Sequence, residues 1–252
     1  MPSRLRINKF IILFFALFLL SGCVTIYNPA TERRETLLID TQSEISLGRD
    51  MDRQLQKKLK ILLDPQMQSR LNSIASNVAG ASDRQDLGYV FRIVKDKELN
   101  AFSIPGGFVY VNSGLMDAAC DDELACVLAH EIGHIAARHS VKRLQTVLGY
   151  QIIMGIALGI SGQQTIGSAV DVVFNLASQG YSRKDEFLAD RLSVRYSRRA
   201  GFNPYAMVTF FEKLKKEAEK SGPNIRIVFL SSHPPIEERI KRVKEEIALN
   251  AN

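Results

Sequence analysis

Two histidines and a glutamate in the middle of the chain have the residue types and the spacing for metal chemistry. His130 and His134 lie four residues apart, and Glu131 directly follows the first histidine. Because an α-helix has about 3.6 residues per turn, both imidazoles would project from one helical face. They could then bind one tetrahedral Zn²⁺ ion, with Glu131 as the general base for the water that the ion activates. An amphipathic helix with solvated histidines is the alternative that this pattern alone leaves open.

A catalytic zinc site needs one more protein ligand, because three side chains and one open position are usual. His139 is the nearest candidate in the sequence. It follows His134 by five residues, and this spacing directs its side chain away from the face that carries the other two histidines. We therefore do not expect His139 to bind the metal, and an acidic ligand is the better candidate.

An acidic ligand is available further along the chain. Ser182, with Asp185 three residues later, is typical of a helix N-terminus. On the helix that begins there, Glu186 and Asp190 lie about one turn apart on the same face. Glu186 could bind the zinc, while Asp190 could accept a hydrogen bond from a ligand imidazole and fix its tautomer. The alternative is a solvated acidic face.

These motifs together resemble one family of zinc metallopeptidases, the gluzincins that include HtpX, BepA and the CAAX prenyl endopeptidase. The resemblance implies an α+β, mostly α, zincin-like fold with a small antiparallel sheet beside the His-Glu-x-x-His helix. It also implies the roles of five residues: the zinc ligands His130, His134 and Glu186, the base Glu131, and Asp190 as the partner of a ligand imidazole. The similar segments are residues 130–134, 181–190, 100–102, 106–111 and 232–234.

The last of these segments contains a further candidate, His233. The resemblance places it at the cleft, where it could stabilise the oxyanion of the reaction or bind zinc as a fourth ligand and keep the enzyme latent. A role in capping the next helix is the alternative. By the same resemblance, Arg239 is expected to pair with an acid near the site. Leu188 departs from the family pattern, because many relatives carry a glutamate there.

Three strands should position the helix of the two histidines. Alternating side chains predict strands over 89–95, 100–104 and 108–111, which form the small sheet that precedes the helix. The third strand ends close to the motif, so we expect it to border the cleft and pair with an extended substrate. A simple hairpin under the helix is the alternative. The expected substrate-binding edge consists of Phe108, Val109, Tyr110 and Val111.

Apolar residues at helical spacing predict several helices around this sheet. A cap at Asp64 before Pro65 indicates where one of them begins. The apolar, glycine-rich region 147–176 is too short and broken for a pair of transmembrane helices, and it could be plain core or a mobile lid over the cleft. The expected helices cover 42–63, 65–78, 121–143, about 205–220 and about 236–249.

The first residues have the pattern of a secretory signal. Three basic residues precede an apolar run over 10–20, which is shorter than the ~20 residues of a membrane span. The following Leu-Ser-Gly-Cys resembles the lipobox of bacterial lipoproteins, with Cys23 as the lipidated residue. Val24 after it, instead of aspartate, resembles Gram-negative sorting to the outer membrane, facing the periplasm. The expected parts are a signal peptide (1–22), a lipid-anchored tether (23–41) and a zinc metallopeptidase domain (42–252).

Charge and cysteine content narrow the function further. The chain has 33 basic and 27 acidic residues, and without the three basic residues of the signal its net charge falls from +6 to +3. This charge is too small to indicate nucleic-acid binding. Besides Cys23 there are two cysteines, Cys120 and Cys126. On one helix they would be too far apart for a disulfide, so free thiols are expected, although a fold-back before the helix leaves a bridge open.

The sequence therefore predicts a zinc-dependent endopeptidase that cleaves unfolded or misassembled envelope proteins, as outer-membrane quality control requires. Its expected partners are these substrates, the membrane through the N-terminal lipid, and the outer-membrane assembly machinery. The competing prediction is a latent, chaperone-like assembly factor that retains the zinc site. The intact Glu131 favours the enzyme. A purely structural lipoprotein would leave the spacing of Glu186 and Asp190 unexplained.

Overall fold

The computed structural model describes residues 24–157, 162–221 and 235–249. The described residues form nine helices and two small sheets, which confirms the prediction of a mostly helical α+β fold. The helices are α1 (Thr41–Lys58), α2 (Pro65–Gly80), α3 (Ser113–Ala118), α4 (Asp121–Ala136), α5 (His139–Ala157), α6 (Gln163–Gln179), α7 (Arg183–Arg199), α8 (Ala206–Ser221) and α9 (Ile236–Leu249).

The sheet next to α4 has three strands in the order β3 (Val90–Val94), β5 (Phe108–Asn112) and β4 (Ala101–Ile104), and it is mixed, whereas an antiparallel sheet was predicted. β5 pairs in parallel with β3 and antiparallel with β4. The predicted substrate edge, Phe108 to Val111, is therefore wrong: these residues lie in the central strand, whose two edges are both occupied. The strands are β1 (Val24–Asn28), β2 (Arg33–Leu37), β3 (Val90–Val94), β4 (Ala101–Ile104) and β5 (Phe108–Asn112).

The central position of β5 follows from its burial on both faces. Phe108 and Tyr110 belong to the core that the sheet forms with α1, while Val109 and Val111 belong to the core on the side of α4. A continuous apolar run of this kind is typical of a strand covered on both faces. The outer strand next to α4 is β4, so β4 and not β5 borders the helix of the two histidines.

Helix α1 packs closely on the turn between β4 and β5. A Cβ atom on Gly48 would overlap the carbonyl oxygen of Pro105, so only glycine permits this approach. Further along α1, the buried carboxylate of Asp52 accepts hydrogen bonds from Arg92 at 2.6 and 2.7 Å and from the hydroxyl of Tyr110 at 2.6 Å. Burial raises the pKa of Asp52, but these hydrogen bonds outweigh it and the pKa is lowered. These contacts join α1 to β3 and β5.

The segment predicted as a tether is folded where the structure describes it, from residue 24 onward. β1 and β2 pair as an antiparallel hairpin. Its Asn28 amide donates a hydrogen bond of 3.0 Å to the carbonyl of Ala136, at the C-terminal end of α4. Arg33 and Arg34 of the hairpin are exposed, the Glu35 side chain is only 11% exposed and lies near Lys142, and Leu37 and Ile39 are buried. The predicted signal peptide (1–22) and lipidated Cys23 lie outside the described residues.

The predicted helix over 121–143 is interrupted. Arg138 adopts a left-handed conformation with a φ of 55°, which ends α4 and turns the chain into α5. Its guanidinium lies 3.0 Å from the buried carboxylate of Glu44 and donates a hydrogen bond of 3.0 Å to the hydroxyl of Thr41. Contacts with the start of α1 therefore hold the break in place.

The other predicted helices begin close to the expected residues. Asp64 caps α2, with its carboxylate accepting from the backbone of Gln66 and Met67 at 2.9 Å. The first helix ends at Lys58 rather than at 63, because residues 60–62 run extended and hydrogen bond with β3.

Within the region 147–176, Gly149 breaks α5 with a φ of 74°, and Ile166 and Val170 of α6 are buried in the core. This burial agrees with the core alternative for that part of the region, and the lid stays a prediction. No helix within the described ranges combines the length and the apolar character that crossing a membrane requires.

Candidate metal centre

Helix α4 is the central element of the fold, and it brings His130, Glu131 and His134 into the core. Three acidic residues in its first turn favour its N-terminus, and Glu123 hydrogen bonds back to the amide of Cys120 at 3.0 Å. From residue 123 to residue 136 every side chain of α4 is buried. The alternative of an amphipathic helix with solvated histidines is therefore excluded.

Helix α7 supplies the acidic residues, and it lies unusually close to α4. A Cβ atom on Gly133 would stand 3.1 Å from the Cβ of Leu192 and 3.3 Å from the carbonyl of Ala189, so the glycine permits this close packing. The hydroxyl of Ser182 caps α7 by accepting from the amide of Asp185, as predicted. The close packing carries Glu186 and Asp190 toward the histidines of α4.

The structure brings together the three predicted zinc ligands, which form a possible metal-binding group. The Nε2 atoms of His130 and His134 are 3.0 Å apart. The carboxylate oxygens of Glu186 lie 3.5 Å from the first of these nitrogens and 3.7 Å from the second. Two ligands bound at about 2.05 Å to a tetrahedral ion are about 3.3 Å apart, so this donor set fits zinc.

The other ring nitrogen of His130 faces Asp190, as the sequence predicted. Its Nδ1 lies 3.0 Å from Oδ1 of Asp190. The same carboxylate accepts two hydrogen bonds from Arg239 of α9, at 2.6 and 2.8 Å. Burial raises the pKa of Asp190, but the charge and hydrogen bonds of Arg239 outweigh this effect. The pKa is therefore lowered, and Asp190 is ionised. An ionised acceptor at Nδ1 leaves the lone pair of Nε2 to point at the metal position.

These partners also change the proton affinity of the metal-free site. Burial lowers the pKa of His130, but hydrogen bonds to Asp190 and Glu186 outweigh it and raise the pKa to about 9. The raised pKa favours an imidazole with protons on both ring nitrogens at neutral pH. Metal binding requires the neutral ring, so an ion entering this site must displace a proton.

Glu131 lies beside the ligands with its carboxylate held in the core. Its Oε2 accepts a hydrogen bond of 2.9 Å from the hydroxyl of Ser103 on β4. Burial raises the pKa of Glu131 to about 7, although the hydrogen bond from Ser103 and the neighbouring His130 oppose this change. A carboxylate with this pKa can both accept and release a proton near neutral pH.

His134 has two neighbours that the sequence analysis did not assign. The ring of Tyr181 stacks on it with centroids 4.2 Å apart. The Nδ1 of His139 lies 2.9 Å from its Nδ1, on the side opposite to Glu186. His139 is not a member of the metal-binding group, but its side chain does not point away from His134, although its spacing on a continuous helix predicted that it would. Burial lowers the pKa of His139 to about 4, so this ring is neutral.

Three residues near the centre were therefore missed as site residues: Ser103, Tyr181 and His139. Tyr181 lies in a segment that carries the family resemblance, and Ser103 directly follows another, so their place at these motifs was the available signal. The contact of His139 depends on the break at Arg138, for which the sequence gives no sign. His233 lies outside the described residues.

Comparison with known proteins decides the family. Residues 65–247 match the sequence profile of peptidase family M48. The chain belongs to this family. Among curated proteins, this M48 peptidase is 30% identical to the metalloprotease LoiP of Escherichia coli over 182 residues, which cover 71% of the chain and 70% of LoiP.

Two other relatives extend the comparison. The beta-barrel assembly-enhancing protease of Escherichia coli is 29% identical over 214 residues, which cover 79% of the chain and 44% of that protein. The metalloprotease YcaL of the same bacterium is 29% identical over 161 residues, or 63% of the chain and 62% of YcaL. This M48 peptidase thus spans about half the length of the beta-barrel assembly-enhancing proteases that it matches.

Proposed function

We propose that this M48 peptidase is a zinc-dependent endopeptidase that cleaves unfolded or misassembled proteins of the cell envelope. The observation that carries the proposal is the convergence of His130, His134 and Glu186 within 4.8 Å of one another, with Glu131 beside them. When bound there, zinc supplies Lewis acidity, which polarises a peptide carbonyl and makes water acidic enough to lose a proton near neutral pH.

The residues of the chain supply the proton transfers. Glu131, whose pKa burial raises to about 7, accepts the proton of the attacking water and then delivers it to the leaving amine. The hydroxyl of Ser103 donates to one oxygen of this carboxylate and holds it in place. His130 is held through Asp190 and Arg239, so its lone pair stays directed at the metal.

The proposed substrate edge moves from β5 to β4. Among the described strands, β4 is paired on one side only, and its Ser103 contacts the catalytic carboxylate. The four residues of β4 are buried, so an extended polypeptide would pair with its unpaired edge and place a peptide bond near Glu131 only in an opened molecule. Because this pairing uses backbone atoms, it favours unfolded chains over particular sequences.

We further propose that His233 acts at the cleft, either on the oxyanion or as a fourth metal ligand that keeps the enzyme latent. Support comes from α9, which begins three residues after His233 and brings Arg239 into contact with Asp190. Three residues span at most about 10 Å, and this short connection to α9 supports the proposed role of His233 at the site. If His233 instead caps α9, His233→Ala should lower stability without changing cleavage or zinc binding.

Location and partners are proposed from the sequence and from the relatives. Cys23 after a signal-like segment supports a lipid anchor in the outer membrane that faces the periplasm. One relative is named for enhancing the assembly of beta-barrel proteins. We therefore propose the outer-membrane assembly machinery and its misassembled clients as partners, with no role for nucleic acid.

Burial of the centre favours a second candidate, a latent assembly factor that retains the zinc site. His130 and Glu186 are 0% exposed, and Glu131 is 4% exposed. A protein substrate cannot reach these side chains without an opening of the molecule. This candidate predicts bound zinc without cleavage, which distinguishes it from the enzyme.

The test is the degradation of casein by the full chain, extracted in mild detergent, with zinc content measured in parallel. We expect one zinc per chain and cleavage that a chelator abolishes. The Glu131→Gln variant should keep its zinc and lose cleavage, while Asp117→Asn, at an exposed carboxylate of α3, should resemble the unaltered chain.

Two results would change the conclusion. Bound zinc without cleavage would favour the latent assembly factor, and His233→Ala would then test whether His233 closes the site. A chain that binds no zinc would refute the proposed centre altogether.

A further inference from the structure

The break between α4 and α5 changes the direction of His139. On a continuous helix, residues five apart point about 140° away from each other. Helix α4 ends at Ala136, and Arg138, the residue before His139, has a left-handed conformation. Helix α5 therefore starts at His139 in a new direction. As a result, the imidazole of His139 folds back against the imidazole of His134, and both rings are buried.

The contact between these rings involves nitrogens that do not face the metal position. The Nε2 of His134 points toward His130 and Glu186, whereas its Nδ1 lies 2.9 Å from Nδ1 of His139. A ring that binds metal through Nε2 must carry its proton on Nδ1. That proton can only be donated to a neighbour with a free lone pair, and the Nδ1 of His139 is in position to accept it.

Asp185 completes the arrangement on the far side of His139. Its Oδ1 lies 3.4 Å from Nε2 of His139, and its Oδ2 accepts a hydrogen bond of 2.7 Å from the hydroxyl of Ser182. A carboxylate at this position favours the tautomer of His139 that has its proton on Nε2. The Nδ1 of His139 is then unprotonated and faces His134, as the acceptor role requires.

Tyr181 restricts the same imidazole in a different way. Its ring lies nearly parallel to that of His134, at 25°, and its hydroxyl is anchored 2.7 Å from the hydroxyl of Ser140. Stacking fixes the plane of the ring but not which nitrogen points inward, because a half-turn about the Cβ–Cγ bond keeps the plane unchanged. The hydrogen bond to His139 distinguishes the two orientations.

We propose that His139 and Asp185 are positioning residues, which orient His134 for metal binding as Asp190 and Arg239 orient His130. This inference rests on the proposed zinc site. The two ligand histidines are thus supported differently: His130 contacts a carboxylate directly, and His134 contacts one through a second imidazole. Both carboxylates come from α7: Asp185 lies in its first turn and Asp190 about one turn later.

The experiment measures zinc affinity of the full chain by competition with a chromophoric chelator. His139→Leu keeps the approximate shape of the side chain without an acceptor, and we expect zinc affinity to fall about 10–100-fold. His139→Asn keeps an oxygen acceptor at the place of Nδ1, so its affinity should stay close to that of the unaltered chain. The absorption spectrum of bound Co²⁺ should change in the leucine variant and not in the asparagine variant.

A second pair of variants decides the matter if the leucine variant does not fold. Asp185 lies in the partly exposed first turn of α7, so Asp185→Ala is expected to fold. It should weaken zinc binding, whereas substitution of its neighbour, Lys184→Ala, should not. Circular dichroism of the metal-free proteins controls for folding.

The inference is overturned if His139→Leu binds zinc as tightly as the unaltered chain, or if His139→Asn is as weak as His139→Leu. Unchanged zinc affinity in Asp185→Ala would overturn the role of Asp185. A failure of the proposed function looks different, because the unaltered chain would then bind no zinc, or would bind zinc without cleaving casein.

Discussion

The pair formed by Arg239 and Asp190 should dominate the stability of the packing between α9 and α7. Both side chains are buried, and the guanidinium donates to both oxygens of the carboxylate at 2.6 and 2.8 Å. Arg239→Met would leave the carboxylate charged in the core with only the His130 imidazole beside it, in place of the two hydrogen bonds from the guanidinium. Removing one partner of a buried ion pair costs about 3–5 kcal/mol in the free energy of unfolding.

The expected loss is large enough to measure by two methods. For a chain of this size, each kcal/mol lowers Tm by about 2–4 °C, so Arg239→Met should lower it by about 6–20 °C. Urea unfolding of the zinc-free protein should give the matching change in free energy. A matched control is Arg242→Met on the same helix, because that half-exposed arginine pairs with Glu238 at the surface and contributes about 0–1 kcal/mol.

A double substitution tests the physical reason. Replacing both charges by apolar side chains, as in Arg239→Met with Asp190→Leu, removes the unpaired buried charge and should recover much of the lost stability. Zinc affinity should stay low in this variant, because His130 has lost its acceptor. A single variant within 1 kcal/mol of the unaltered chain, or a double variant less stable than Arg239→Met, would refute the reasoning.

Three further predictions concern residues away from the metal centre. Gly48→Ala should lower the free energy of unfolding by about 1–3 kcal/mol, because its Cβ meets a turn backbone. Gly80→Ala should not lower it, because nothing lies within 4 Å of a Cβ atom there. Equal urea midpoints for the two variants would contradict this prediction. Because the pKa of Asp52 is lowered in the folded state, its ionised carboxylate stabilises the fold above about pH 4, and this stabilisation is lost as pH falls through the folded pKa. In Asp52→Asn, the urea midpoint should therefore depend less on pH below about pH 5 than in the unaltered chain. In a thiol assay, Cys120 should react in the native chain, while Cys126, whose pKa burial raises to about 12, should react only after unfolding; a disulfide would leave both silent.

The ligand set could be predicted because it depends on local geometry. The spacing of His130 and His134, and of Glu186 and Asp190, is a property of single helices, and the 3.6-residue period determines it. The capping residue Ser182 was also visible, because it acts on the turn that it begins. The convergence of the two helices required only that both apolar faces enter one core.

The errors concern arrangements that depend on distant contacts. The apolar run of β5 was consistent with an edge or a central strand, and only its pairing partners decide between them. The hairpin of β1 and β2 is polar in composition, and its contact with Ala136 joins residues 108 positions apart. The left-handed Arg138 carries no sequence signal, because this conformation is usual for glycine and asparagine.

Complete burial of the centre links two rates that are ordinarily independent. A peptide and a chelator must both reach the same buried groups, since His134 is 1% exposed and Glu131 is 4% exposed. Both processes therefore draw on the same minor population of open molecules, and apparent affinity for substrate is reduced by the fraction that is open. For the proposed zinc peptidase, anything that raises this fraction speeds hydrolysis and hastens metal loss together, so an activated molecule also has a shorter lifetime as a loaded enzyme.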